Sequence, residues 1–170
     1  MEELCRPSVE QFRHAAKLPL TVVLDNVRSE MNVGSILRTA DGFAVERVVL
    51  CGISPTPPRP EIHKTALGAE DSVEWVYSAS ASAAVERLKA EGYEVFAVEQ
   101  AHGSVPLEQF APQSDRRYAV VLGHEVRGVA QEVVDASDGC LEIPQRGTKH
   151  SLNVACAAAV VMWHFFSRLA

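Results

Sequence analysis

Short apolar runs rich in valine, isoleucine and leucine recur along the chain at regular intervals. They cover residues 20–25, 47–51, 73–77, 93–98, 118–123 and 140–143. Several are continuous rather than alternating, the pattern of strands buried on both faces. Between them the period becomes helical. Residues 33–43 carry Ile36, Leu37, Ala40 and Phe43 at helical spacing. Residues 80–91 carry Ala84, Val85 and Leu88 in the same way and stop at Gly92, a natural helix terminator. Strands alternating with helices predict an α/β fold with a mostly parallel sheet.

Two segments break this rhythm. Residues 54–60 (SPTPPRP) read as an extended proline-rich loop, and residues 144–150 (PQRGTKH) as a polar loop before the final helix. Residues 1–19 form a short polar lead-in with one helix over 9–17. No repeat and no shift in composition divides the chain, so one domain over residues 1–170 is expected. The final helix, 152–168, is apolar around nearly its whole circumference, the pattern of burial on every side. A terminal helix of that kind points to a second subunit over one face. A central helix inside a monomer is the alternative.

The length of 170 residues suits one domain and suffices to bury a core without disulfides or metals. The four cysteines, Cys5, Cys51, Cys140 and Cys156, form no C-x-x-C pair, which argues against a zinc or dithiol site. No other cluster has metal-ligand spacing. No apolar stretch follows the N-terminus, and the longest apolar run falls short of the ~20 residues of a membrane span. The expectation is a soluble cytoplasmic protein with no membrane partner. The net charge is −6, from 16 Lys and Arg against 22 Asp and Glu. That balance argues against nucleic-acid binding by bulk positive charge and leaves room for a local basic patch.

The familiar nucleotide signatures are absent. No G-x-G-x-x-G follows the first strand, and no P-loop Lys-Ser/Thr pair occurs. Three other segments join a strand end to polar and glycine residues: 24–40 (LDNVRSEMNVGSILRTA), 120–129 (VLGHEVRGV preceded by Val120) and 143–155 (IPQRGTKHSLNVA). Ligands of open α/β sheets bind beyond the carboxyl ends of strands, so the three segments can converge on one pocket.

These segments resemble the three signature motifs of the SpoU/TrmH-type class of SPOUT RNA methyltransferases. The first has N-x-G-x-x-x-R-x-A, with Asn32, Gly34, Arg38 and Ala40. The second has L-G-x-E-x-x-G, with Leu122, Gly123, Glu125 and Gly128. The third has I-P-x-x-G-x-x-x-S-L-N, with Ile143, Pro144, Gly147, Ser151, Leu152 and Asn153. Gln145 stands where the family often has methionine. The resemblance covers almost the whole chain. It implies a Rossmann-like, mostly parallel sheet with a C-terminal deep trefoil knot, S-adenosyl-L-methionine as methyl donor without a metal, and a homodimer. The activity implied is methylation of a ribose 2′-hydroxyl of structured RNA. The alternatives are an rRNA-specific enzyme and a catalytically idle RNA-binding relative.

The resemblance also assigns roles. Arg38 serves the ribose hydroxyl. Deprotonating a guanidinium at pH 7 costs about 7 kcal/mol or more, so a phosphate clamp that places the hydroxyl is the chemically cheaper role. Asn32 is expected to cap the helix that carries Arg38 and to support catalysis. Glu125 becomes an active-site carboxylate with an arginine as its expected partner. Ser151 is expected to cap the last helix, with Asn153 in its first turn near the catalytic centre. Val98, Glu99, Gly123, Ile143, Ser151 and Leu152 would hold the cofactor, and a side chain at Gly123 is expected to collide with it. Arg28, Lys64, Arg127, Arg146 and Lys149 would contact RNA, with Arg59 extending the stripe. About 19 residues precede the first strand, which favours tRNA over rRNA as the partner, as in compact members of the family.

Overall fold

The computed structural model describes residues 7–170; the first six residues of the lead-in lie outside the described residues. The alternation of runs builds one seven-stranded sheet. Its strands are β1 (Leu18–Asp25), β2 (Val45–Cys51), β3 (Trp75–Ser78), β4 (Tyr93–Val98), β5 (Val105–Pro106), β6 (Arg117–Leu122) and β7 (Gly139–Glu142). The spatial order is β3-β2-β1-β6-β4-β7-β5 and every pairing is parallel. The six expected strands all occur, within two residues of their expected limits.

The helices are α1 (Val9–His14), α2 (Glu30–Gly42), α3 (Pro60–Ala66), α4 (Ala69–Ser72), α5 (Ala81–Ala90), α6 (Gln131–Ala136) and α7 (Val154–Leu169). Parallel strands need crossovers, and these helices supply them on both faces. Side chains of β1 therefore alternate between two cores. Leu20, Val22 and Leu24 pack with Ile36, Leu37, Met162 and Phe165 of α2 and α7. Val23 packs on the other face with Val85 and Leu88 of α5 and Val133 of α6. Burial on both faces is why these strands read as continuous apolar runs.

The chain runs from β1 outward through β2 to β3, then returns to place β6 against the other side of β1. The crossover directions diverge between β1 and β6. Switch points are where such folds bind ligands, and a cavity here sits beside this one, at the carboxyl ends of β4, β6 and β7.

Several expectations change. The proline-rich loop ends one residue early, because Pro60 opens α3 as its first helical residue, where a missing N–H costs nothing. The lead-in helix stops at His14 rather than residue 17. The final helix begins at Val154 rather than 152. Nor is it buried all round: Trp163 is 55% and Val160 42% exposed. Cys156, Val160 and Trp163 recur at spacings of four and three, so the exposed positions form one stripe on an otherwise buried helix.

One motif glycine has a packing reason. Gly34 lies in α2 where α3 crosses. A Cβ there would sit 2.1 Å from Thr65 Oγ1 and 2.4 Å from the Ile62 carbonyl oxygen. Gly42, at the end of the same helix, has nothing within 4 Å of its would-be Cβ. We expect Gly34→Ala to destabilise the fold by about 1–3 kcal/mol through overpacking. Gly42→Ala should stabilise it by about 0.4–1 kcal/mol by restricting the unfolded chain. Denaturant unfolding of the two variants checks both signs.

Candidate functional site

The site starts where β1 ends. Ser29 caps α2, its Oγ accepting from the Asn32 backbone N–H at 3.2 Å. In a capping box the third helical residue is Glu or Gln and reaches back to the cap N–H. Here that residue is Asn32, too short for the task. Glu125, from the loop beyond β6, takes its place. Its Oε1 accepts from Ser29 N–H at 3.0 Å and its Oε2 from Arg28 N–H at 3.2 Å. The cap is thus Ser29, correcting the expectation for Asn32.

Asn32 is freed to link the motifs. Its Nδ2 donates to Glu125 Oε1 at 3.3 Å, and its Oδ1 accepts from Asn153 Nδ2 at 3.2 Å. Asn153 Oδ1 accepts from the backbone N–H groups of Ala155 and Cys156 at 2.9 and 3.3 Å. Asn153 is therefore the cap of α7, and Ser151 lies in the loop before it. Asn153 takes the cap expected of Ser151, and Ser151 falls outside the helix, because the helix starts two residues later. One polar chain, Glu125–Asn32–Asn153, now joins all three motif segments.

Among the described residues Glu125 meets no arginine side chain; its partners are two backbone N–H groups and an amide. Burial alone would push its carboxyl up, but the donors from Ser29, Arg28 and Asn32 outweigh burial and hold it below its ordinary value. The start of α2 adds a favourable partial positive charge. Glu125 is thus a fixed anion at neutral pH.

Beside this chain lies a cavity of about 450 Å³. It opens at the carboxyl ends of β4, β6 and β7. Val98, Glu99, Gly123, Ile143, Ser151 and Leu152 all line it, as does Gln145. Leu122 adds a further apolar wall. Its floor is a tight loop. His124 and Gly128 exchange backbone hydrogen bonds at 3.0 and 2.9 Å, and Glu99 Oε2 accepts from Val129 N–H at 3.1 Å. A Cβ on Gly123 would lie 2.0 Å from the Gly128 carbonyl carbon and 2.1 Å from Val129 N. The loop's own backbone therefore already requires a glycine here.

Arg38 lies six residues beyond Asn32 on α2, exposed, outside the cavity lining, and with no hydrogen bond or ion pair among the described residues. Helical side chains lean towards the N-terminus, so Arg38 leans to the end that carries Asn32. Arg127 lines the cavity. Arg28 does not line it; its backbone N–H holds Glu125, which does. Arg146 and Lys149 are exposed on the loop before α7. Lys64 sits apart on α3, 3.7 Å from Glu61.

Two contributors escaped the sequence reading. Ser29 is the cap described above. Asp25 is buried at the end of β1, where its Oδ2 accepts from Ala130 N–H at 3.0 Å and its Oδ1 from Asn26 Nδ2 at 2.8 Å. It ties the first motif to the end of the second. A signal was present, since an aspartate ending an apolar strand needs a partner when buried.

The SpoU rRNA Methylase family model matches residues 19–163. A tRNA (guanosine(18)-2′-O)-methyltransferase from Thermus thermophilus is 32% identical over 167 residues, covering 95% of this chain and 81% of its own. The AdoMet-bound rRNA methyltransferase from Sinorhizobium meliloti superposes with a TM-score of 0.83 at 25% identity, covering 94% of this chain. This chain spans 60% of the length of that structure. A structure described for 2-OH methylation of C/U34 on tRNA gives a TM-score of 0.75 at 26% identity, over 88% of this chain and 95% of its own. With the fold, the three joined motifs and these matches in place, the chain belongs to the SpoU rRNA methylase family, the SpoU/TrmH-type RNA methyltransferases.

Proposed function

We propose that the protein transfers a methyl group from S-adenosylmethionine to a ribose 2′-hydroxyl of tRNA. The observation that carries this reading is the Glu125–Asn32–Asn153 chain beside a cavity, with Arg38 unpaired on the same helix as Asn32. The named activities of the Thermus relative and of the C/U34 structure support both the 2′-hydroxyl and tRNA.

The cavity fits the methyl donor. Its volume of about 450 Å³ lies in the usual range for such ligands. Val98, Leu122, Ile143 and Leu152 offer apolar walls for a purine, and the 123–129 loop offers backbone groups. When bound, S-adenosylmethionine supplies an electrophilic methyl on a sulfonium with a neutral thioether as leaving group. The chain's task is then mostly placement. Arg38 grips the phosphate beside the target ribose and sets the hydroxyl in line, an effect that can supply roughly 7–11 kcal/mol. Asn32 and Asn153 fix α2 and α7 relative to that hydroxyl. Glu125 is a positioning residue: its lowered pKa makes it a weak base. An oxygen being alkylated becomes strongly acidic, so its proton can leave to water late in the step.

Arg127 lines the cavity, and Arg146 and Lys149 are exposed on the loop that adds Gln145 and His150 to its lining; with Arg28, these serve as phosphate contacts, with Lys64 further out on α3. A second copy of the chain covers the α7 stripe of Cys156, Val160 and Trp163 in this reading, which would complete the burial that the helix's composition asks for.

Arg38→Ala should lower methyl transfer to tRNA by about 10²–10³-fold, the cost of one charge-assisted contact in a transition state. Affinity for S-adenosylmethionine should stay unchanged, since Arg38 does not line the cavity. Tritiated methyl transfer and calorimetry read the two quantities. A wild-type rate in the variant contradicts the role of Arg38, and labelling of rRNA but not tRNA contradicts the substrate. Trp163→Glu should shift the protein from dimer to monomer in sedimentation velocity. A monomeric wild type would remove the second copy from the reading.

A further inference from the structure

The carboxyl edge of the sheet carries a second concavity that the cavity above does not use. It lies beyond the ends of β1 and β2, against the edge strand β3, and has a volume of about 600 Å³. Arg28, Ile53, Thr56, Arg59, Trp75 and Tyr77 line it. An adjoining hollow of about 570 Å³ shares Arg59 and Trp75 with it and adds Pro57 and Pro58.

Its walls combine flat apolar surface with cations. Tyr77 is 54% and Ile53 63% exposed. Trp75 and Tyr77 are two residues apart on β3 and so face the same way. Their polar atoms are already engaged within the protein. Tyr77 Oη donates to the Gly52 carbonyl at 3.1 Å, and Trp75 Nε1 to the Glu70 carbonyl at 3.2 Å. These bonds pin both rings. Arg59 pairs with Glu30 at 2.8 Å, while the Arg28 guanidinium has no ion pair among the described residues. Among the charged residues that line the groove, Arg28 and Arg59 against Glu30, one cation is left over, and Arg28 is the one without an ion pair.

The groove is tied to the candidate catalytic network. Ile53 N–H donates to Asn26 Oδ1 at 3.1 Å, fixing the turn after β2 to the end of β1. Two residues on, Arg28 lines the groove while its own N–H holds Glu125. Segment 26–29 is thus a shared wall between the groove and the Glu125–Asn32–Asn153 chain.

We propose that this groove is a subsite for an unpaired RNA base next to the methylated nucleotide, stacked on Tyr77, with its phosphate on Arg28. The proposal rests on the reading that RNA is the substrate. Sequence-specific RNA recognition targets unstacked bases laid on aromatic rings or guanidinium planes. Pinned rings lose little freedom on binding, and every base has a face to offer, so the subsite tolerates any base.

The test uses the full chain and unfractionated tRNA. Tyr77→Ala should raise KM for tRNA about tenfold, with kcat and S-adenosylmethionine affinity unchanged. Tyr77→Phe keeps the ring and should stay within about threefold of wild type. Ultraviolet crosslinking of tRNA to the wild-type protein needs no variant, and its adducts should map to Tyr77 or Trp75. A wild-type KM in Tyr77→Ala, or crosslinks that avoid this strand, overturns the subsite while leaving methyl transfer through Arg38 intact. Equal competition by an acidic peptide at the groove also overturns it. Failure of the wild-type protein to methylate any RNA overturns the underlying reading instead.

Discussion

A buried or half-buried carboxylate must be matched by donors or it costs several kcal/mol. Glu125 meets that demand with the backbone of residues 28 and 29 and the amide of Asn32. None of these donors comes from its own loop. The charge on the loop beyond β6 is thus matched largely by the start of α2. Asn32 can hold that orientation only while Asn153 donates to its other end. Three segments distant in sequence are thereby held by one short chain of hydrogen bonds. The cavity and the position of Arg38 follow from that arrangement.

The glycines work with the same constraint. Gly34 lets α3 press against α2 without displacing the helix that carries Asn32 and Arg38. Gly123 lets the loop fold back on itself, bringing Gly128 and Val129 against the end of β6. Gly128, at φ +69, faces Glu99 Oε2 so closely that a Cβ would lie 2.1 Å away. Glu99 then anchors Val129 and shapes the cavity floor. Close backbone approach and satisfied carboxylates thus support one another at the carboxyl ends of β4 and β6.

Much of this was legible in the residues. Continuous Val, Ile and Leu runs marked the central strands because burial on both faces leaves no room for polar alternation. The helical spacing of Ile36, Leu37 and Ala40 marked α2, because only one of its faces is buried. The short elements α3, α4, α6 and β5 escaped, being two to seven residues long and too brief for periodicity. The motif residues were legible as a set, but their partners were not. The group that takes the backbone N–H of the cap residue Ser29 lies 96 positions away, at Glu125, and spacing carries no trace of that. That Asn153 rather than Ser151 caps α7 turns on a two-residue shift in a helix start. The trefoil knot is implied by the resemblance alone, since threading leaves no mark on hydrophobic pattern.

The central claim is that Glu125, Asn32 and Asn153 act as one unit. Glu125 and Asn153 share no direct hydrogen bond and meet only through Asn32. A double-mutant cycle of Glu125→Gln and Asn153→Ala, read in kcat/KM for tRNA methylation, tests that claim most directly. The account predicts a coupling of about 1 kcal/mol or more, the double variant losing less than the sum of the single losses. Losses that add within about 0.3–0.5 kcal/mol would contradict it, because independent sites behave that way.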